Sequence, residues 1–155
     1  KEGQGFIQLM MNLPLERLSI GVCAAAAGEA AFKWTLEYTS NREAFGQPVA
    51  DFQNTRFRLA DMATTVDVLW AYNDRAMELY RQGKLGADEA AEVKFWSTER
   101  EWELLDMGVQ LHGGYGYITE YPIARAFLDA RVHRIYGGTN EVMREIVARA
   151  VTGRK

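Results

Sequence analysis

Apolar residues recur at helical spacing along most of the chain. Leu15, Leu18, Val22, Ala25, Phe32 and Leu36 follow one another at steps that fit one helix face, with Glu29 the one polar residue in the row. This predicts a long first helix running to about Asn41, with Asn12 as its cap and Pro14 in its first turn. The alanine run Ala24–Ala27 would let another helix approach closely. Leu59, Met62, Val66, Leu69, Asn73, Ala76 and Tyr80 mark the buried face of a second helix, from about Gln53 to Arg81. A third is expected from Ala87 to Leu111. Its pattern is the least regular, with Val93, Trp96, Leu104, Met107 and Leu111 as core. Pro122 opens a short fourth helix to about Arg131. A last helix covers Asn140 to Thr152, with Val142, Met143, Ile146 and Val147 as a broad apolar stripe.

The connections carry the turn residues. Residues 43–51 contain Gly46 and Pro48 and read as a loop. Residues 83–86 form a short link of the kind that joins antiparallel neighbours. Two further loops hold Gly113-Gly114-Tyr115-Gly116-Tyr117 and residues 133–138. Long helices, short links and no strand-like alternation predict an all-α antiparallel four-helix bundle with additional short C-terminal helices.

Composition narrows the chemistry. The 155 residues are 48% apolar and 25% charged, with a net charge of −3. Nothing there favours nucleic acid or an anionic membrane surface. The longest apolar run is broken at Glu29, too short to span a bilayer. Cys23 is the single cysteine and reads as a small core residue in a reducing compartment. The chain opens Lys1-Glu2-Gly3-Gln4-Gly5, with no secretory signal and no initiator Met, which suggests a piece of a longer protein. His112 and His133 have no partner at metal-ligand spacing. The glycine loop lacks the strand and third glycine of a dinucleotide fingerprint.

Three loop-borne clusters remain. In the first, Arg42 and Phe45 precede Gly46, with Gln53 nearby. A forked cation and an aromatic ring suit a diphosphate joined to a ring system, and they equally suit a helix C-terminus with its turn glycine. The second, Gln110 to Tyr117, has Gly113 and Gly114 where a ligand or another backbone could come close. In the third, Tyr136-Gly137-Gly138-Thr139 leads into Asn140 and Glu141. Free N–H groups and a hydroxyl at a helix start suit an anionic or polar ligand, or an ordinary cap.

Taken in order, these clusters resemble the C-terminal domain of acyl-CoA dehydrogenases, over about Leu9 to Arg149. Arg42-Glu43-Ala44-Phe45-Gly46 resembles that family's Arg-x-x-Phe-Gly. Gln110 to Tyr117 resembles its Gln-x-x-Gly-Gly-x-Gly-Tyr, and Ile135 to Glu141 its third motif, most closely in the long-chain branch. The resemblance implies oxidation of an acyl-CoA to the trans-2-enoyl-CoA with FAD as hydride acceptor and electron-transfer flavoprotein as onward acceptor. It implies a homodimer or homotetramer in the bacterial cytoplasm or mitochondrial matrix. Arg42, Phe45, Gln53, Gln110, Gly113 and Gly114 would meet the FAD of a neighbouring subunit, and Thr139 and Glu141 the flavin of their own. Tyr136, Gly137 and Gly138 would line the acyl-thioester site, with Arg17 near the base or the substrate.

Many members of that family carry their catalytic glutamate where this chain has Gly137. In the isovaleryl and long-chain branches the base sits instead in a Glu-Arg-Leu motif near the start of the first long helix. Leu15-Glu16-Arg17-Leu18 matches it, so Glu16 is the candidate base, with Gly137 making room. A helix start holds a carboxylate in its charged form, whereas a dry apolar site works in the opposite sense. The family's N-terminal helical and middle β-domains are missing from this chain, which implies weak FAD binding and no turnover by the chain alone. An acyl-CoA oxidase-like enzyme and a non-catalytic helical oligomerisation module are the alternative readings.

Overall fold

A computed structural model describes residues 2–154. It is helical almost throughout. The elements are α1 (Gly5–Asn41), a two-residue pair β1 (Glu43–Ala44) and β2 (Gln47–Pro48), α2 (Gln53–Arg81), α3 (Ala87–His112), α4 (Pro122–Ala130) and α5 (Asn140–Thr152). Short 3-10 turns cover Val49–Asp51, Gly113–Tyr117 and Arg131–Arg134. The expected bundle is present, with α1 and α3 as its central pair. Helix α2 packs on both, α4 packs on both, and α5 lies along α3.

The close approach expected of the alanine run is what joins α1 to α3. Gly21, Ala24, Ala25, Gly28 and Ala31 all lie buried on one face of α1. A Cβ added to Gly21 would stand 2.6 Å from Val93 Cγ1, and one on Gly28 2.7 Å from Leu104 Cδ1. The larger apolar residues fill the spaces around this seam. One cluster holds Ala25, Met62, Val66, Leu69 and Leu104, another Ala31, Leu105, Ile123 and Ala130, and a third Leu18, Ala76 and Val93.

Several expectations need correction. Helix α1 starts at Gly5, and Asn12 does not cap it. The Gln8 N–H donates to the Gln4 carbonyl at 3.0 Å, and Pro14 lies inside the helix. Proline forfeits one backbone bond there, and the strong helix formers Gln8 to Met11 carry the turn before it. Cys23 is exposed, because it points away from the glycine-alanine seam. Leu15, Leu36, Tyr80 and Val142 are exposed as well, at the margins of their stripes. Helix α5 buries only Asn140 and Met143 among its own residues.

Residues 43–48 are not a plain loop. Glu43 pairs with Pro48 and Ala44 with Gln47, with Phe45 (φ 53°) and Gly46 (φ 83°) between them. Two successive left-handed residues make a tight hairpin turn whose twist matches the strands. Phe45 is the one non-glycine residue with positive φ among the described residues. A phenylalanine there costs roughly 1–3 kcal/mol of backbone strain.

The irregular pattern of α3 also has a physical cause. Its buried positions include Lys94, Ser97, Thr98 and Glu101, so polar side chains occupy core sites. Among the described residues, no helix is long and apolar enough to cross a membrane.

Candidate functional site

The third cluster is built on α1 and α3. Gly137 (φ 66°) and Gly138 (φ 97°) turn the chain ahead of α5. Arg17 Nε donates to the Gly137 carbonyl at 3.1 Å, and Lys94 Nζ donates to the Gly138 carbonyl at 2.9 Å and to Asn140 Oδ1 at 2.8 Å. Asn140 Nδ2 in turn donates to Thr98 Oγ1 at 2.9 Å. Thr139 caps α5 by accepting from the Val142 N–H at 3.4 Å. Glu141 is exposed in the first turn of α5, and its carboxyl is held below its ordinary range chiefly by its own backbone N–H.

Arg17 and Lys94 are both buried, and neither forms an ion pair among the described residues. Burial pulls the Arg17 guanidinium below its ordinary value, while the neighbouring Glu16 carboxylate opposes that shift. Lys94 is lowered to about 8, first by burial and then by the charge of Arg17. An unfolded Lys keeps its proton up to about 10.5. Between those values the unfolded chain therefore holds a proton that folded Lys94 has released, so stability from this residue rises with pH. Lys94→Met cannot titrate. Raising the pH from about 7 to about 10 is expected to move the melting-temperature difference between the two forms in favour of the wild type.

A Cβ on Gly137 would lie 2.6 Å from Ile20 Cδ1, so the tip of an α1 side chain packs against this glycine. The positive φ of Gly137 also disfavours any side chain at that position. Glu16 precedes Arg17 and lies one turn before Ile20, on the same side of α1 as Ile20. It is exposed and forms no ion pair among the described residues. It stands about three turns into α1, so the helix-start argument for its charge does not apply.

The first two clusters meet at the other end of α1. Arg42 shares a cleft of about 480 Å³ with Tyr38, Gln110, His112, Gly113 and Gly114. The Arg42 guanidinium lies 5.7 Å over the Tyr115 ring, and Tyr38 stacks on His112 at 4.3 Å. His112 Nδ1 lies 2.7 Å from the Gly108 carbonyl, and burial pushes its pKa down, so a neutral ring with its N–H on Nδ1 suits the site.

The glycines divide. A Cβ on Gly113 or Gly114 would meet nothing within 4 Å, whereas one on Gly116 would clash with the Val109 carbonyl and lie 3.0 Å from Val109 Cα. Phe45 is 98% exposed at the hairpin tip, edge-on to Phe52. Gln53 is exposed at the start of α2. Neither Phe45 nor Gln53 lines the cleft. Arg17 and Arg42, the residue that caps the end of α1, stand 25 positions apart, or about 37 Å along the helix axis.

The sequence reading missed the layer beneath the third loop. Glu101 is fully buried and receives His133 Nδ1 at 2.8 Å, and Glu99 pairs with Arg134 and Arg144. Lys94, Thr98 and Glu101 recur at helical spacing on α3, which was the available signal. Among the described residues, no cluster of three His, Cys, Asp or Glu side chains could hold a metal ion.

Comparison with known proteins agrees with the fold. Residues 3–152 match the model of the acyl-CoA dehydrogenase C-terminal domain. The mitochondrial long-chain specific acyl-CoA dehydrogenase of Sus scrofa is 44% identical over 151 residues, which are 97% of this chain and 35% of that protein. A subunit of the caffeyl-CoA reductase-Etf complex of Acetobacterium woodii is 36% identical over 94% of this chain and 38% of that protein. The crystal structure of an acyl-CoA dehydrogenase from Geobacillus kaustophilus superposes with a TM-score of 0.93 at 43% identity, over 97% of this chain and 40% of that one. The chain thus spans little more than a third of the length of these relatives. With this motif order, this fold and these matches, the chain belongs to the acyl-CoA dehydrogenase family, as its C-terminal domain.

Proposed function

We propose that this chain is the C-terminal domain of an FAD-dependent acyl-CoA dehydrogenase that converts acyl-CoA thioesters to trans-2-enoyl-CoA, with Glu16 as the base for the α-proton. One observation carries the assignment of the base. Arg17 bonds the Gly137 carbonyl and Ile20 packs against Gly137, so the helical turn that bears Glu16 is docked on the loop. Position 137 cannot supply a carboxylate, and Glu16 is the acid that flanks both contacts. Arg17 holds the loop by its carbonyl. Tyr136, Gly137 and Gly138 would line the thioester site beside it.

The residues present fit FAD. The Arg42 guanidinium makes no ion pair among the described residues, and Gly113 and Gly114 leave backbone approachable in the same cleft. A forked cation beside accessible N–H groups suits a diphosphate, and the exposed Phe45 ring suits stacking by a planar group. FAD, when bound, would accept the hydride from the β-carbon. Arg42, Phe45, Gln53, Gln110, Gly113 and Gly114 would hold one FAD, while Thr139 and Glu141 would face another.

The separation of about 37 Å along α1 supports this division between two sites, and with it a homodimer or homotetramer. The Etf complex of one relative supports electron-transfer flavoprotein as a partner. The full-length protein tests the reading. Acyl-CoA added without oxygen should bleach its flavin absorbance. Arg42→Ala should leave the fold intact and weaken FAD retention by about 1.5–3 kcal/mol, the range for a bond to a charged group. Retention of FAD at wild-type affinity by Arg42→Ala would remove the cleft from the proposal.

A further inference from the structure

We propose that Glu101, which is buried, and His133, which is partly exposed, form an ion pair that positions Tyr136 and the Gly137–Gly138 loop, so that turnover depends on the charge of His133. This inference rests on the reading of that loop as the acyl-thioester site. Glu101 is the one fully buried carboxylate among the described residues. A charge without water needs a partner, and His133 Nδ1 supplies it at 2.8 and 2.9 Å from the two carboxylate oxygens. The imidazole also stacks on Tyr136, with ring centroids 5.4 Å apart and planes 17° from parallel. Glu101 therefore holds the edge of the imidazole while Tyr136 lies against its face. His133 belongs to the 3-10 turn Arg131–Arg134, directly before the loop, so the ring's position fixes where Tyr136 and the glycines begin.

The groups around the pair set its titration. The bond to Glu101 raises His133 above its ordinary value of 6.5, burial opposes this, Asp129 from α4 adds to it, and Lys94 from α3 works against it. Burial raises the Glu101 carboxyl, and His133 counters that. Cys23 from α1 and Glu101 both face Tyr136, whose hydroxyl is raised mainly by burial. When the His133 ring gives up its second proton, its Nδ1–H still donates to Glu101, but the positive charge that balances the buried carboxylate is gone. The clamp on Tyr136 then loosens as pH rises through the raised His133 value.

The test uses the full-length FAD-loaded enzyme. His133→Ala should lower kcat by about tenfold or more, since small misplacements of a reacting group are costly. The double variant Glu101→Gln/His133→Gln keeps a hydrogen bond without charge. It should recover kcat to within about threefold and lack the alkaline limb of the wild-type pH profile. His133 should titrate above its ordinary value by proton NMR, its signal assigned by its absence from the double variant. Wild-type kcat in His133→Ala, or an alkaline limb that persists in the double variant, would overturn the proposal. If His133→Ala fails to load FAD, the double variant decides alone: turnover without the limb supports the pair, and lost turnover or a persisting limb rejects it. Failure of Glu16 as base is distinguishable, because Glu16→Gln would then turn over normally while the His133 titration stayed in place.

Discussion

Glu16→Gln in the full-length protein is expected to reduce turnover by about 10²–10⁴-fold while FAD remains bound, the range for losing a positioned general base. The substitution preserves size and removes only the ability to take a proton. Little stability should be lost, because Glu16 is exposed and pairs with no other described residue. The effect should therefore lie in kcat, with acyl-CoA affinity close to wild type. Rapid mixing with acyl-CoA under anaerobic conditions reads the step directly, as slow bleaching of an otherwise normal flavin spectrum. A variant that bleaches at the wild-type rate would return the chemistry to another acid or to none. Among the competitors, Glu141 sits on the far side of Gly138 in α5, and Glu145 is committed to Arg149 at 2.7 Å.

The second large effect separates two glycines in one motif. Gly116→Ala is expected to destabilise the protein by about 3 kcal/mol, because the new methyl meets backbone rather than a flexible side-chain tip. At this chain length that corresponds to a fall of roughly 6 °C or more in melting temperature. Gly114→Ala should change stability by less than about 0.5 kcal/mol, since nothing lies within 4 Å of the added carbon and its backbone is ordinary. It should still weaken FAD binding, because it fills the approach to the backbone in the cleft. Calorimetry and FAD titration on the pair give four numbers. Equal stability loss at both positions would mean that the whole loop is merely a tight turn.

That division could not be read from the sequence, where Gly113, Gly114 and Gly116 look alike. Much else could be. The limits of α2 and α5 agree with those expected from their apolar periods, with Thr139 as the cap of α5, and the ends of α3 and α4 differ from expectation by one residue. The start of α1 was hidden because a proline two residues after an asparagine carries the same signal at a helix entrance as inside a helix whose neighbouring turns are strong. The hairpin at residues 43–48 was hidden because Phe45 takes a backbone conformation usually left to glycine or asparagine. At the site, the sequence brought Arg42 and the Gln110–Gly114 loop into view, and the structure places them in one cleft. The polar layer of α3 carried no signal beyond its helical spacing, because Lys94 and Glu101 look like surface charges until Gly138, which accepts from Lys94, and His133, which donates to Glu101, are folded over them.

Helix α1 runs without interruption between Arg17 and Arg42, so both ends of the domain share one angular phase. A single residue inserted between them would turn one end by about 100° relative to the other and lengthen the rod by about 1.5 Å. Arg17 could then face its glycine, or Arg42 its cleft, but not both. Length changes should accordingly be tolerated at the link before α3, and rejected anywhere along this shaft.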